Sequence, residues 1–156
     1  MIEFLPFNES LNNPYSATLR QVNGERYKST FKVDDGSSVT VDFKGDEHID
    51  DYDHLDWTIS FSRNGSQATT GEGDALRIIA TVMKMVKEFV KKEDPKYMTL
   101  SAAKEQRAGQ KKMIKQMQGR EKVYNRLVKN SVGSKYKVTS DTGSSGTIWY
   151  ISKVRR

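Results

Sequence analysis

The hydrophobic period of this 156-residue chain switches at Gly71-Glu72-Gly73. Upstream, Val39, Val41 and Phe43, then Trp57, Ile59 and Phe61, recur at every second position, the period of strands with one buried face. Downstream, Leu76, Ile79, Val82 or Met83, Val86, and Phe89 or Val90 recur at steps of three and four, the period of an amphipathic helix. Strands, a glycine break, then a long helix are the frame into which the rest of the chain must fit.

The punctuation fills in that frame. Residues 1–25, interrupted by Pro6, Asn8, Asn12, Asn13, Pro14 and Gly24, read as an irregular N-terminal segment that Leu5 and Phe7 anchor. Residues 26–156 read as a single domain. Strands over 27–33 and 38–44 flank Asp34-Asp35-Gly36-Ser37, a hairpin signal because Asp and Gly tolerate positive φ. A third strand covers 55–63, and Asn64-Gly65 turns it into a short returning strand over 66–70. The helix runs from about 74 to 92, with Asp74 as N-cap and Lys87, Lys91 and Lys92 toward the end where cations suit the macrodipole. Glu93-Asp94-Pro95 stops it. A strand over 96–101 follows, with Tyr97, Thr99 and Leu100 inside, and then a basic insertion at about 102–119. A second, shorter helix over 120–130 carries the stripe Val123, Tyr124, Leu127 and Val128. Strands over 136–140 and 147–154 close the chain around a loop over 141–146. The step from strand 66–70 through the long helix to strand 96–101 puts both strands in one sheet, by a right-handed crossover if they run parallel. The predicted class is α+β, with a mixed, mostly antiparallel sheet.

Composition removes several chemistries. The chain has no cysteine and only two histidines, His48 and His54, which excludes thiolate metal sites, a cysteine nucleophile and a three-histidine centre. Residues 45–56 hold six carboxylates. They suit hard divalent cations but lack the spacing of a calcium loop, so they read as a solvated, mobile loop and no metal is expected. No Gly-x-Ser-x-Gly, P-loop or dinucleotide fingerprint occurs. No apolar run approaches the roughly 20 residues of a membrane helix, and the start lacks the basic and apolar regions of a signal peptide. The expected location is cytoplasmic, with no membrane partner.

The net charge of +6 is unevenly divided: residues 1–75 hold 6 Lys/Arg against 14 Asp/Glu, and residues 76–156 hold 20 against 6. The acidic half is the strand-rich one and the basic half the helix-rich one. A basic surface concentrates anions whatever the fold beneath it.

Residues from about 38 to 154 resemble the GNAT (GCN5-related N-acetyltransferase) family. There, a strand leads through Arg/Gln-x-x-Gly-x-Gly/Ala into a helix whose start binds the pyrophosphate of acetyl-CoA. The matching stretch is Ala68-Thr69-Thr70-Gly71-Glu72-Gly73, followed by Asp74-Ala75-Leu76. Ala68 stands at the Arg/Gln position and Glu72 puts a negative charge within the turn. Val123-Tyr124 resembles the family's Leu-Tyr pair, while Val128-Lys129 departs from its Gly-Phe pair. The resemblance implies a GNAT-like fold and acyl transfer from acetyl-CoA to an amine. The cofactor would sit on Thr69, Thr70, Gly71, Glu72, Gly73 and Asp74, with Tyr124 as the acid. The base stays open among Glu47, His48 and His54. The chain is also similar to small bacteriophage proteins with a Thr-Gly-x-Gly helix, which would place it in a host cytoplasm or a virion.

The alternative is a non-catalytic binding module on the same fold. Its basic half, centred on Lys104, Arg107, Lys111, Lys112, Lys115 and Arg120, would contact a nucleic acid or a protein partner. Lysines neutralising phosphates give salt-dependent affinity, and Tyr97, Tyr124 and Tyr136 are candidate stacking groups.

Overall fold

Alternating apolar residues assemble one sheet in the computed structural model, which describes residues 14–33, 38–48, 51–64, 72–102, 121–143 and 146–154. The strands are β1 (Arg20–Asn23), β2 (Arg26–Lys32), β3 (Ser38–His48), β4 (Asp51–Asn64), β5 (Tyr97–Ala102), β6 (Tyr136–Gly143) and β7 (Gly146–Lys153). They are hydrogen-bonded in the order β1-β2-β3-β4-β5-β7-β6. Helices α1 (Glu72–Glu93) and α2 (Glu121–Val132) connect β4 to β5 and β5 to β6.

The pair β4–β5 is parallel and every other pair is antiparallel. Parallel neighbours need a long crossover, and α1 supplies it. β5 and β6 both run against β7, so they share a direction. Both helices therefore return against these strands, and their C-terminal ends lie at the same end of the sheet.

The GNAT-like α+β expectation is corrected by this architecture. A GNAT domain sets helices between its strands. Here β1 to β4 follow one another as antiparallel neighbours, with no helix among their described residues, and more than half of the described residues are in strands. The protein is a strand-dominated, seven-stranded sheet with two helices.

Much of the extra strand comes from the acidic stretch, read above as a loop. It pairs instead: Gly45 opposes Trp57, Asp46 opposes Asp56, Glu47 opposes Leu55 and, after an irregularity, His48 opposes Asp51. Backbone pairing is indifferent to side-chain charge as long as the carboxylates keep water, and Asp46 and Glu47 are exposed. The cost is a pair of aspartates directly across the ladder, a destabilising arrangement for like charges.

Several boundaries also move. The strand parallel to β5 is β4; the returning strand expected over 66–70 lies outside the described residues. α1 begins at Glu72, so Asp74 is inside its first turn rather than capping it. The β6–β7 pairing continues to Gly143 opposite Gly146, which shortens the connection. β1 gives regular structure to the end of the N-terminal segment. In β5 the buried residues are Met98 and Leu100, while Tyr97 and Thr99 are half-buried on the other face.

One face of the sheet carries the core. Tyr27, Phe31, Val41, Phe43, Ile59, Phe61, Leu100, Trp149 and Ile151 are all buried there, in register across neighbouring strands. α1 lowers Phe89 into the middle of it. The Phe89 ring centroid lies 5.3 Å from Tyr27, 4.8 Å from Phe43 and 4.7 Å from Trp57, one ring from each of β2, β3 and β4. Such pairs add about 0.5–1.5 kcal/mol each beyond area burial.

The N-terminal segment is tied to the other end of α1. The Tyr15 amide donates to Thr81 Oγ1 at 2.8 Å, its ring stacks on Phe31 at 5.8 Å, and the Arg77 guanidinium lies 3.8 Å from the ring centroid. Leu19 is buried beside it; Leu5 and Phe7, the anchors expected from sequence, lie outside the described residues.

Phe89→Ala is expected to lower the free energy of unfolding by about 3–5 kcal/mol, the cost of emptying a well-packed aromatic site. Urea denaturation followed by tryptophan fluorescence, which reports Trp57 directly, measures it; a loss below about 1 kcal/mol would show that the ring is not the seat of α1.

Candidate functional site

The helix periodicity that buries Phe89 also decides what faces water. On α1 the exposed side carries Lys84, Lys87, Lys91 and Lys92; on α2 it carries Lys122, Arg126 and Lys129. Lys84, Lys87 and Lys91 are spaced i, i+3, i+7, and Lys122, Arg126 and Lys129 are spaced i, i+4, i+7, so each set forms one row along its helix. The two helices pack against each other, which puts the rows side by side. The acids of these helices whose side chains are described are placed differently. Glu88, Glu93 and Glu121 are half-buried, and Glu93 accepts a 2.8 Å hydrogen bond from the Tyr27 hydroxyl. Lys91, Lys92 and Lys129 lie in last turns, where the helix dipole favours a cation. Lys122 and Arg126 lie in the first half of α2, where it does not.

Between the C-terminal ends of the helices lies a cavity of about 580 Å³, with Lys87, Lys91 and Lys135 on its walls beside Asp94, Asn130 and Tyr136. A second hollow, about 490 Å³, shares Asn130, Gly133 and Tyr136 and adds Lys129 and Lys137. Together they form a groove from α1 across the end of α2 to β6.

Both helices stop there by the same device. The residue after each helix adopts the left-handed conformation, Asp94 at φ 48° and Gly133 at φ 83°. Their amides donate back to Val90 O at 2.9 Å and Lys129 O at 3.0 Å, satisfying carbonyls that a helix end leaves orphaned.

The groove wall is pinned by three further hydrogen bonds. The buried Tyr136 hydroxyl donates to Pro95 O at 2.6 Å, the Lys153 amide to Lys96 O at 2.8 Å, and the Val154 amide to Lys135 O at 2.7 Å. Asp94, the acid on the wall, is engaged by Lys153 Nζ at 2.7 Å; that hydrogen bond, with the charges of Lys153 and Lys135, holds its carboxyl below the ordinary carboxylate value. Burial pushes the Tyr136 phenol up to about 12, helped by Asp94 nearby. Burial and the hydrogen bond to Glu93 do the same for Tyr27, also to about 12.

The residues implied by the acetyltransferase resemblance are not brought together by described geometry. Thr69, Thr70 and Gly71 lie outside the described residues. Glu72, Gly73 and Asp74 form the first turn of α1. Glu47 is exposed on β3, and His48 and His54 lie in β3 and β4. Tyr124 sits in the hydrophobic core at 1% exposure, fixed by an α2 that also binds the sheet through Trp149 Nε1 donating to Asn125 Oδ1 at 2.7 Å. Lys104, Arg107, Lys111, Lys112, Lys115 and Arg120 lie outside the described residues. Of the three candidate stacking tyrosines, Tyr124 and Tyr136 are buried and Tyr97 is half-buried on the sheet face away from the helices.

Neither row is visible within its own segment: Lys87, Lys91 and Lys92 read as partners of their helix dipole, and Lys122 and Arg126 belong to no motif. The signal that joins the rows is that both helices return against one sheet, which turns their polar sides the same way.

Two outcomes test the groove's construction. Tyr136→Phe removes the donor to Pro95 O and should cost about 1–3 kcal/mol of stability. Stability should also fall as pH rises from about 10 to about 12. The phenols of Tyr27 and Tyr136 are raised in the folded state, so the unfolded chain gives up its protons first. Phenolate absorbance of the folded protein should show Tyr27 and Tyr136 among its late-titrating tyrosines, and Tyr136→Phe should remove one such group.

Among the described residues no helix is long and apolar enough to cross a membrane. No family model matches this chain, and no curated protein matches it in sequence.

Proposed function

We propose that the helical face is a binding surface for polyanions and that its ligand is nucleic acid, held through its phosphates. One observation carries the reading: two neighbouring helices turn seven cations to solvent, while Glu88, Glu93 and Glu121 on the same helices are half-buried. Lysines on a solvated face are common, but the helix dipole accounts only for those in the last turns. The dipole opposes Lys122 in the first turn of α2 and does nothing for Arg126 at mid-helix, and the concentration of cations opposite the core is what a phosphate-binding surface requires. The groove between the helix ends, walled by Lys87, Lys91 and Lys135, offers a recess for the backbone. The absence of cysteine fits a reducing, cytoplasmic setting.

Acyl transfer has no supporting observation among the described residues. Acetyl-CoA binding rests on the resemblance alone: Glu72, Gly73 and Asp74 form the helix start where the resemblance puts the pyrophosphate, Thr69, Thr70 and Gly71 lie outside the described residues, and Tyr124 is a core side chain. The binding reading needs none of them.

The test is fluorescence anisotropy with a labelled oligonucleotide across a salt series. The logarithm of the affinity should fall linearly with the logarithm of salt concentration, and the triple variant Lys87→Glu, Lys91→Glu, Lys129→Glu should bind about tenfold or more weakly with a shallower slope. Binding that is absent at low salt, or that the triple variant leaves unchanged, would sink the proposal.

A further inference from the structure

We infer, resting on the reading that nucleic acid is the ligand, that the helical face takes duplex rather than single strands and reads phosphate without reading bases. The first reason is the double row. Lysines three or four residues apart on a helix stand about 5–6 Å apart at Cβ, and packed helices have axes about 8–10 Å apart. Two rows at that separation can meet two backbones at once, and a duplex presents two backbones across its minor groove. A single strand can follow one row at a time. A duplex also carries a charge about every 1.7 Å of its axis against about 3.4 Å for each of its strands, so the same cations meet more phosphates.

The second reason is what the face lacks. Proteins that prefer single strands stack bases on exposed aromatic rings. The described aromatic residues of α1 and α2 are Phe89 and Tyr124, and both are buried. The described large hydrophobics that are exposed, Val22, Ile148 and Val154, lie in β1, in β7 and just after it. Neither helix offers a base an exposed aromatic ring to stack on.

The third reason is steric. A helix reads bases by entering the major groove, which at about 12 Å wide admits one helix. Each helix with its side chains is itself about 10–12 Å across, and α1 and α2 lie side by side on the sheet. Side by side they are wider than that groove, so neither helix enters it to read bases.

The full-length chain should be titrated against two 20-base-pair duplexes of unrelated sequence, as DNA and as RNA, and against the matching single strands at about 0.1 M salt. Either duplex is expected to bind about tenfold more tightly than its own strands, with the two sequences within about twofold of each other. The pair Lys87→Glu, Lys129→Glu, one charge from each row, should remove most of the duplex preference. Single strands bound as tightly as duplex, with both weakened by the charge reversals, would overturn the duplex inference and leave the polyanion reading standing. No binding of any form at low salt would overturn the polyanion reading itself. Duplex binding lost in Lys104→Glu, Lys111→Glu, Lys112→Glu but untouched by the helix variants would overturn both assignments to this face.

Discussion

Phe89 among Tyr27, Phe43 and Trp57 is the contact on which the rest of the molecule turns. A helix laid on a sheet can roll about its axis until something fixes it. An aromatic ring seated between rings from three strands leaves it one orientation, because aromatic pairs are held by geometry as well as by area. Once that side of α1 is fixed, the positions opposite are fixed too. Lys84, Lys87 and Lys91 face outward because Val82, Val86 and Phe89 face inward. The proposed binding surface is thus the other side of the core, and a residue buried far from any ligand sets the direction of every lysine on α1.

The second helix is aligned by different means to the same end. Tyr124, Val128 and Val132 bury its inner side, and the indole of Trp149 holds Asn125, so α2 is keyed to β7 rather than to the N-terminal strands. Its end and that of α1 meet because Tyr136, at the start of β6, reaches back to the carbonyl of Pro95 just past α1. One hydroxyl therefore couples the stop of the first helix to the strand after the second. The groove between them has walls set by backbone hydrogen bonds, and only its lysine side chains are free to adapt to a ligand.

The sequence was legible where period and punctuation agreed. Val39, Val41 and Phe43 lie on the buried face as their spacing requires, and the long helix with its stop at Glu93-Asp94-Pro95 is where the pattern puts it. It misled where composition competed with pairing. Six carboxylates in twelve residues read as a solvated loop, yet β3 runs to His48 and β4 starts at Asp51, because a ladder constrains the backbone whatever the side-chain charge. It was silent on what depends on two segments at once. Neither helix alone reveals that its lysines stand beside those of the other, and nothing near Tyr136 announces a partner 41 residues earlier. The Thr-Thr-Gly-Glu-Gly stretch resembles a phosphate-binding break before a helix, but fold class follows from the share of strand and from where the helices fall, which a short motif does not encode.

The parallel pairing of β4 with β5 has a kinetic meaning. β1 to β4 pair each with the strand next in sequence, as do β6 and β7, contacts nearer in sequence than those of β5. β5 is different: it joins β4 across the whole of α1 and joins β7 across the whole of α2 and β6. Closing long loops before any contact rewards them is what slows folding, so this six-residue strand is expected to be the seam at which the β1–β4 meander and the β6–β7 hairpin are joined last. The charge division falls before that strand, at the start of α1, so the meander of the acidic half and the residues that follow it carry opposite net charge and attract one another while the seam is still open.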